Sequence, residues 1–241
     1  MSDWRTEKLA KTYLEGVRGA IPFANEQIDL LIRIIRYFQP NVKSFLDIGA
    51  GDGILGRTIF AHWPDSKGVF LDYSAPMIKA AKLKCLDYQN SAKFIIQDYG
   101  EFGWLDSISN NIPVDLVISG FSIHHQDDNN KKRIYREIYN QILKPGGLFV
   151  NMEHVASKTT DIENIFDSLF LDCLVNYHQK IDSNASSEKI ANEYYNREDK
   201  KLNILTPVED QCNWLREIGF INVDCYFKIF ELSIFGGVKP I

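Results

Sequence analysis

Cysteine is sparse in this 241-residue chain: Cys85, Cys173, Cys212 and Cys225 stand far apart, with no CxxC pair. That spacing argues against a disulfide framework or a structural zinc site and fits reduced thiols. No apolar run approaches the roughly 18 residues that a membrane-spanning helix requires, and Met1–Arg5 carries no apolar signal core. The expectation is a soluble, cytoplasmic protein. Positive charge is not in excess either. Lys and Arg number 27 against 32 Asp and Glu, a formal net charge of −5, which speaks against a broad phosphate-binding surface and so against nucleic acid as the partner. A small basic run, Lys131-Lys132-Arg133, reads as the solvated start of a helix. Repeats and low-complexity segments are absent, and 45% hydrophobic content is ordinary for a globular chain.

What is present is an alternation of short apolar runs and helical patterns. Ile28, Leu31, Ile32 and Ile35 recur at helical spacing, with Asn25 as the expected N-cap. Lys43 to Ile48 reads as a strand, Ile54 to Trp63 as a helix and Val69 to Leu71 as a second strand. Ser74 and Pro76 open a helix running to about Leu86. Phe94 to Ile96 and Val114 to Ile118 are further strands. Lys131 to Leu143 is a helix ended by Pro145-Gly146-Gly147, and Leu148 to Met152 is a fifth strand. The expected class is α/β: a doubly wound, mostly parallel sheet with helices on both faces. After Ser157 the rhythm turns helical (Ile162 to Tyr177, Ser187 to Tyr195), as for an inserted lid. Thr206-Pro207-Val208-Glu209 reads as a capping box opening a helix that ends at Gly219. Val223 to Phe227 and Leu232 to Phe235 then suggest an antiparallel hairpin on the sheet edge. The chain divides into an N-terminal helical cap (1–40), a cofactor-binding core (41–156), a lid (157–205) and a C-terminal helix with hairpin (206–241), all within one domain.

The first strand ends in Asp47-Ile48-Gly49-Ala50-Gly51-Asp52-Gly53, a glycine turn that lets backbone N–H groups approach a nucleoside cofactor. Ile54 occupies the place of the third glycine of a dinucleotide fingerprint, which disfavours NAD. Asp72 ends the second apolar run, placed to bind ribose hydroxyls, and Asp98 follows the third.

This set resembles the class I S-adenosylmethionine-dependent methyltransferases. Leu46-Asp47-Ile48-Gly49-Ala50-Gly51-Asp52-Gly53 is similar to the first motif of that family, Asp72 to its ribose-binding acid and Asp98, with Tyr99, to the acid near the adenine amino group. Leu143-Lys144-Pro145-Gly146-Gly147 is similar to its turn before strand five. The resemblance implies a seven-stranded Rossmann-like sheet whose last strand runs antiparallel, and S-adenosyl-L-methionine as cofactor. Tyr73 and Met77 are expected to pack on the base, and Ser119 to lie beside the cofactor at the end of strand four.

The loop after strand four, Ser119 to Asp128, lies over the reactive methyl in this fold. Its His124 is similar to the base of small-molecule O-methyltransferases, with His125 as the neighbouring candidate. Glu153 and His154, ending strand five, are candidates to orient the substrate or hold the base. No HxH or HxxxH spacing supports a metal. Tyr13, Arg18, Tyr194, Tyr195 and Arg197 are candidate substrate contacts, Arg18 through its planar fork. The leading expectation is methyl transfer to an O- or N-nucleophile of a small molecule by a monomer or homodimer. The alternatives are an enzyme related to tRNA modification, such as a synthase of the carboxylated cofactor, and a non-catalytic cofactor-binding module; a dinucleotide oxidoreductase ranks last.

Overall fold

The computed structural model describes residues 6–12, 16, 18–196 and 202–241. Seven strands form one sheet: β1 (Ser44–Ile48), β2 (Lys67–Asp72), β3 (Ala92–Ile96), β4 (Val114–Gly120), β5 (Leu143–His154), β6 (Ile221–Ile229) and β7 (Leu232–Val238), in the spatial order β3-β2-β1-β4-β5-β7-β6. Strands β1 to β5 pair in parallel, whereas β7 runs antiparallel to both β5 and β6. The antiparallel hairpin expected on the sheet edge is formed there. Its second strand inserts beside β5, because Leu232, Ile234 and Phe235 are apolar enough to be buried there, and β6 alone forms the edge.

Strand side chains alternate between faces, and the core divides accordingly. Leu46, Leu71, Val117, Phe149 and Phe235 join one cluster. Their neighbours Phe45, Phe70, Leu116, Leu148 and Ile234 join the other. The first cluster is covered by α5 (Asp128–Glu137) and α8 (Val208–Ile218), through Ile134, Tyr135, Cys212 and Leu215. The second is covered by α2 (Ala24–Phe38) and α3 (Ile54–His62), through Leu31, Ile35, Ile59 and Phe60. Two apolar faces on each central strand explain why these strands read as continuous apolar runs.

Several boundaries differ from the sequence reading for local reasons. Helix α2 starts two residues earlier than an Asn25 cap requires, with Phe23 at the cap in a left-handed conformation (φ 57°). Helix α5 starts at Asp128, because the Asp127 carboxylate accepts the Asn130 N–H at 2.8 Å; a π-helical turn, Ile138–Ile142, continues it. The Pro145-Gly146-Gly147 turn is an irregularity inside β5, whose register shifts against β4 there. The Thr206 capping box does not form. Pro207 sits at the cap of α8 without a side-chain bond, and Thr206 is turned toward α5 instead. By contrast, Ser74 caps α4 (Ala75–Lys84) with Pro76 in its first turn, as its sequence predicts.

Between β5 and α8 lie α6 (Thr160–Ile181) and α7 (Ser187–Tyr195). Phe166, Phe170, Leu174 and Tyr194 of this segment form a separate apolar cluster with Ala20 and Leu232. The short helix α1 (Glu7–Thr12) precedes α2. Among the described residues no helix is long and apolar enough to cross a membrane. All four cysteines are free thiols.

Candidate active site

Strand order reverses between β1 and β4, the switch point at which open α/β sheets hold ligands beyond the strand C-termini. A cleft of about 1140 Å³ opens there, lined by the loops after β1, β2 and β4, the ends of β5 and the hairpin, and residues of α2, α6 and α7.

One half is built from the glycine turn. Gly49 and Gly51 have φ of 66° and 56°, and a Cβ on Gly49 would lie 1.8 Å from Ser122 Oγ. A side chain at Gly49 is thus excluded both by backbone conformation and by the β4 loop. The Gly49 and Ala50 N–H groups donate to Leu71 O, which ties the turn to β2. Asp47 is buried below it and accepts the Gly56 N–H at 3.0 Å, anchoring α3. Asp72 accepts N–H bonds from Gly51 and Ser74, each at 2.8 Å. Its carboxylate lines the cleft, and burial pushes its pKa up to about 6 against those two bonds. A carboxylate has about four acceptor positions, so two N–H bonds leave it capacity for a ligand's hydroxyls. Tyr73 and Met77 line the same half. The turn, with its side-chain-free cradle and adjoining acid, fits a nucleoside with a ribose diol.

Other candidates for the cofactor side stand behind the cleft wall. Gly53 starts α3 under the Phe70 ring. Asp98 Oδ1 accepts the Gly100 N–H at 2.7 Å. Buried Tyr99 shares a 2.6 Å hydroxyl bond with Ser122, and Ser119 Oγ donates to Ile48 O, lacing β4 to β1.

The other half carries the histidines. His124 Nδ1 lies 2.6 Å from Glu153 Oε1, and the His124 N–H donates to Glu153 Oε2. Asn151 Nδ2 and the His154 N–H donate to the same carboxylate. With these three donors aimed at it, Glu153 is held as an acceptor toward the His124 Nδ1–H. Burial nevertheless opposes charge on both partners: Glu153 is pushed up to about 7, and His124 is driven well below the usual histidine range, helped by His154 and Lys131. His124 lines the cleft, whereas Glu153 lies behind it. The His125 ring lies tilted against His124 with centroids 4.0 Å apart, and its Nδ1 lies 3.2 Å from Leu202 O. His154 Nε2 is 2.8 Å from Glu231 Oε2.

The stretch from Leu202 to Thr206 crosses this loop as a strap. The Ile204 N–H donates to His124 O, and the Asn203 side chain bonds the His124 ring. Lys131 holds the strap from beneath: its ammonium donates to Ile204 O, to Thr206 Oγ1 at 2.6 Å and to Asp128. Lys131 is only 1% exposed, so the solvated run expected at Lys131-Lys132-Arg133 is corrected. Arg133 is likewise turned inward, clamping Glu137 and the carbonyls of Tyr99 and Gly100. Lys131→Met should lower stability by about 3 kcal/mol, because a buried carbonyl and hydroxyl pair lose their donor. Urea unfolding would check this, and a midpoint equal to wild type would contradict it.

Tyr194 and Tyr195 line the cleft, and Tyr194 donates to Asp167 at 2.6 Å. Tyr13 and Arg197 lie outside the described residues, and for Arg18 only the backbone is described. Ser122, Asn203, Lys131 and Glu231 were not among the sequence candidates. Lys131 had a signal: it shares a helical face with apolar Ile134, Tyr135 and Ile138. Glu231 had a weaker one, as a lone acid inside the apolar tail. Among the described residues no group of three or more His, Cys, Asp or Glu side chains is placed to hold a metal.

Sheet order, glycine cradle and buried acid define a Rossmann-like fold whose cleft fits a nucleoside. Comparison with known proteins narrows this. Residues 46–149 match the methyltransferase-domain family. The chain is 25% identical over 239 residues to carboxy-S-adenosyl-L-methionine synthase of Desulfotalea psychrophila, covering 97% of this chain and 90% of that one. A solved structure from Methanococcus maripaludis, assigned as an S-adenosyl-L-methionine-dependent methyltransferase, has a TM-score of 0.59 at 20% identity, covering 99% of this chain and 94% of that one. Human N-acetylserotonin methyltransferase in complex with S-adenosylmethionine has a TM-score of 0.61 at 14% identity; this chain spans 58% of its length. The chain thus has the Rossmann-like methyltransferase fold, and its residues 46–149 are similar to a methyltransferase domain, which points to an enzyme that binds S-adenosyl-L-methionine.

Proposed function

We propose that this enzyme methylates an O- or N-nucleophile of a small molecule, with His124 as general base. The observation that carries this reading is the buried His124–Glu153 pair on the acceptor side of the cleft, opposite the glycine turn. S-adenosylmethionine supplies an electrophilic methyl group on a sulfonium. The chain's own residues do the rest. Asp72 and the Gly49–Gly51 turn hold the nucleoside and fix its direction. Glu153 accepts from Nδ1, so that Nε2 takes the nucleophile's proton once the nucleophile replaces the Asn203 side chain that bonds the ring. Helices α6 and α7 cover the acceptor side and exclude water, which favours displacement by the bound nucleophile. The acidic balance of the chain favours a small molecule over nucleic acid as acceptor, and a cytoplasmic setting accords with the free thiols.

A second reading has a specific observation behind it: the relative matched nearly end to end is a carboxy-S-adenosyl-L-methionine synthase. Mass spectrometry of the nucleoside that co-purifies with the protein separates the two. S-adenosylmethionine or S-adenosylhomocysteine is the expected result. A carboxylated sulfonium nucleoside would replace the first reading with the second.

A further inference from the structure

Glu231 occupies the turn between β6 and β7, next to Phe230 in a left-handed conformation (φ 49°). It lines the acceptor half of the cleft and is 4% exposed. Oε2 is bonded to His154 Nε2 at 2.8 Å, and Oε1 receives no hydrogen bond from any described residue. Among the described residues no lysine or arginine pairs with this carboxylate. Burying a carboxylate is costly without a compensating charge or a full set of hydrogen bonds. One bond from a histidine does not supply that. A cation entering the cleft does.

The surroundings fit such a cation. Phe166, Phe170 and Tyr194 line the same half, and Phe166 lies 5.6 Å from the His154 ring. Aromatic faces attract ammonium groups within about 6 Å of the ring centre. Glu163 and Asp167, on the same helix as Phe166, add further carboxylates to the cleft lining. The His154 and His124 rings are 5.7 Å apart, and Glu231 bonds His154, so the carboxylate lies on the same side of the cleft as the base.

Building on the methyltransferase reading above, we infer that Glu231, positioned by His154, is the docking point for a protonated amine on the methyl acceptor. The acceptor is then a compact molecule with two functional groups: a nucleophile beside His124, and an ammonium group held by Glu231 on the same side of the cleft. Glu231 binds the acceptor and His154 orients the carboxylate. Neither takes part in the proton transfer at His124.

Matched probes test this, each pair differing in the amine alone: tyramine against 4-ethylphenol, and 3-hydroxybenzylamine against 3-methylphenol. Calorimetric titration in saturating S-adenosylhomocysteine is expected to show at least one amine binding tenfold or more tighter than its neutral partner. Glu231→Gln, which keeps the shape and removes the charge, should bring that pair to within twofold while leaving S-adenosylhomocysteine affinity unchanged. Equal affinities in the wild type, no detectable binding of either amine, or a preference that survives Glu231→Gln would each overturn the inference. Failure of the underlying reading has a different signature: wild-type protein that does not bind S-adenosylhomocysteine.

Discussion

His124→Ala is expected to lower turnover by roughly 10²- to 10⁴-fold, the usual contribution of a positioned general base, while S-adenosylmethionine affinity stays within twofold. The substitution keeps the residue-124 N–H that donates to Glu153 and removes only the ring that reaches the cleft. The pH profile adds an independent reading. When the pair holds a single proton, Glu153 is ionised, His124 keeps hydrogen on Nδ1, and Nε2 carries the lone pair. Gaining a proton in this dry setting favours the neutral acid facing Nδ1, which moves the ring hydrogen to Nε2 and blocks the base. Burial pushes Glu153 up to about 7, so the rate should rise with pH through about 7 and then level. Glu153→Gln should abolish that limb as well as slow the reaction. A wild-type rate in His124→Ala would reassign the base, with His125 the next candidate.

Asp72→Ala should weaken S-adenosylmethionine binding by about 2–3 kcal/mol, roughly 30- to 150-fold in Kd. Two losses combine: the acceptor for the ribose diol, and the bonds that fix the Gly51 and Ser74 amides. Isothermal titration is the check, and wild-type affinity would refute the assignment. The sign of the pH dependence follows from the raised pKa. Ribose hydroxyls donate to the ionised acid, so affinity should be about tenfold lower at pH 5 than at pH 7 if the carboxyl titrates near 6. Folding shows the opposite slope. A folded pKa raised from 3.8 to about 6 gives this group a stabilising contribution below pH 3.8 that is lost as pH rises through about 6. Unliganded protein should therefore gain from mild acid at this one position while cofactor binding loses.

The legible parts of the molecule were those whose physics is local. Gly49 and Gly51 announce a turn that only glycine adopts easily, Asp72 closes an apolar run, and Ser74 with Pro76 marks a helix start; all four can be read within a few residues. The parallel pairing of β1 to β5 followed from alternation of strand and helix. Features that depend on the chain's return from far away were not legible. Thr206 has the composition of a helix cap, but Asp128 and Lys131, more than seventy residues earlier, compete for its hydroxyl. Lys131 was read by its charge, although its spacing from Ile134 and Tyr135 places it inward. The position of β7 depended on which strand edge remained open beside β5, which no local pattern reveals.

The strap from Leu202 to Thr206 has a consequence for altering acceptor range by exchange of parts. It joins the covering helices to the loop that carries His124 through the Ile204 amide and Lys131. A chimera that imports a foreign helical segment should therefore place its downstream junction before Leu202, keeping the native crossing and its lysine anchor. A junction inside the crossing would exchange the covering helices and unseat His124 in the same stroke.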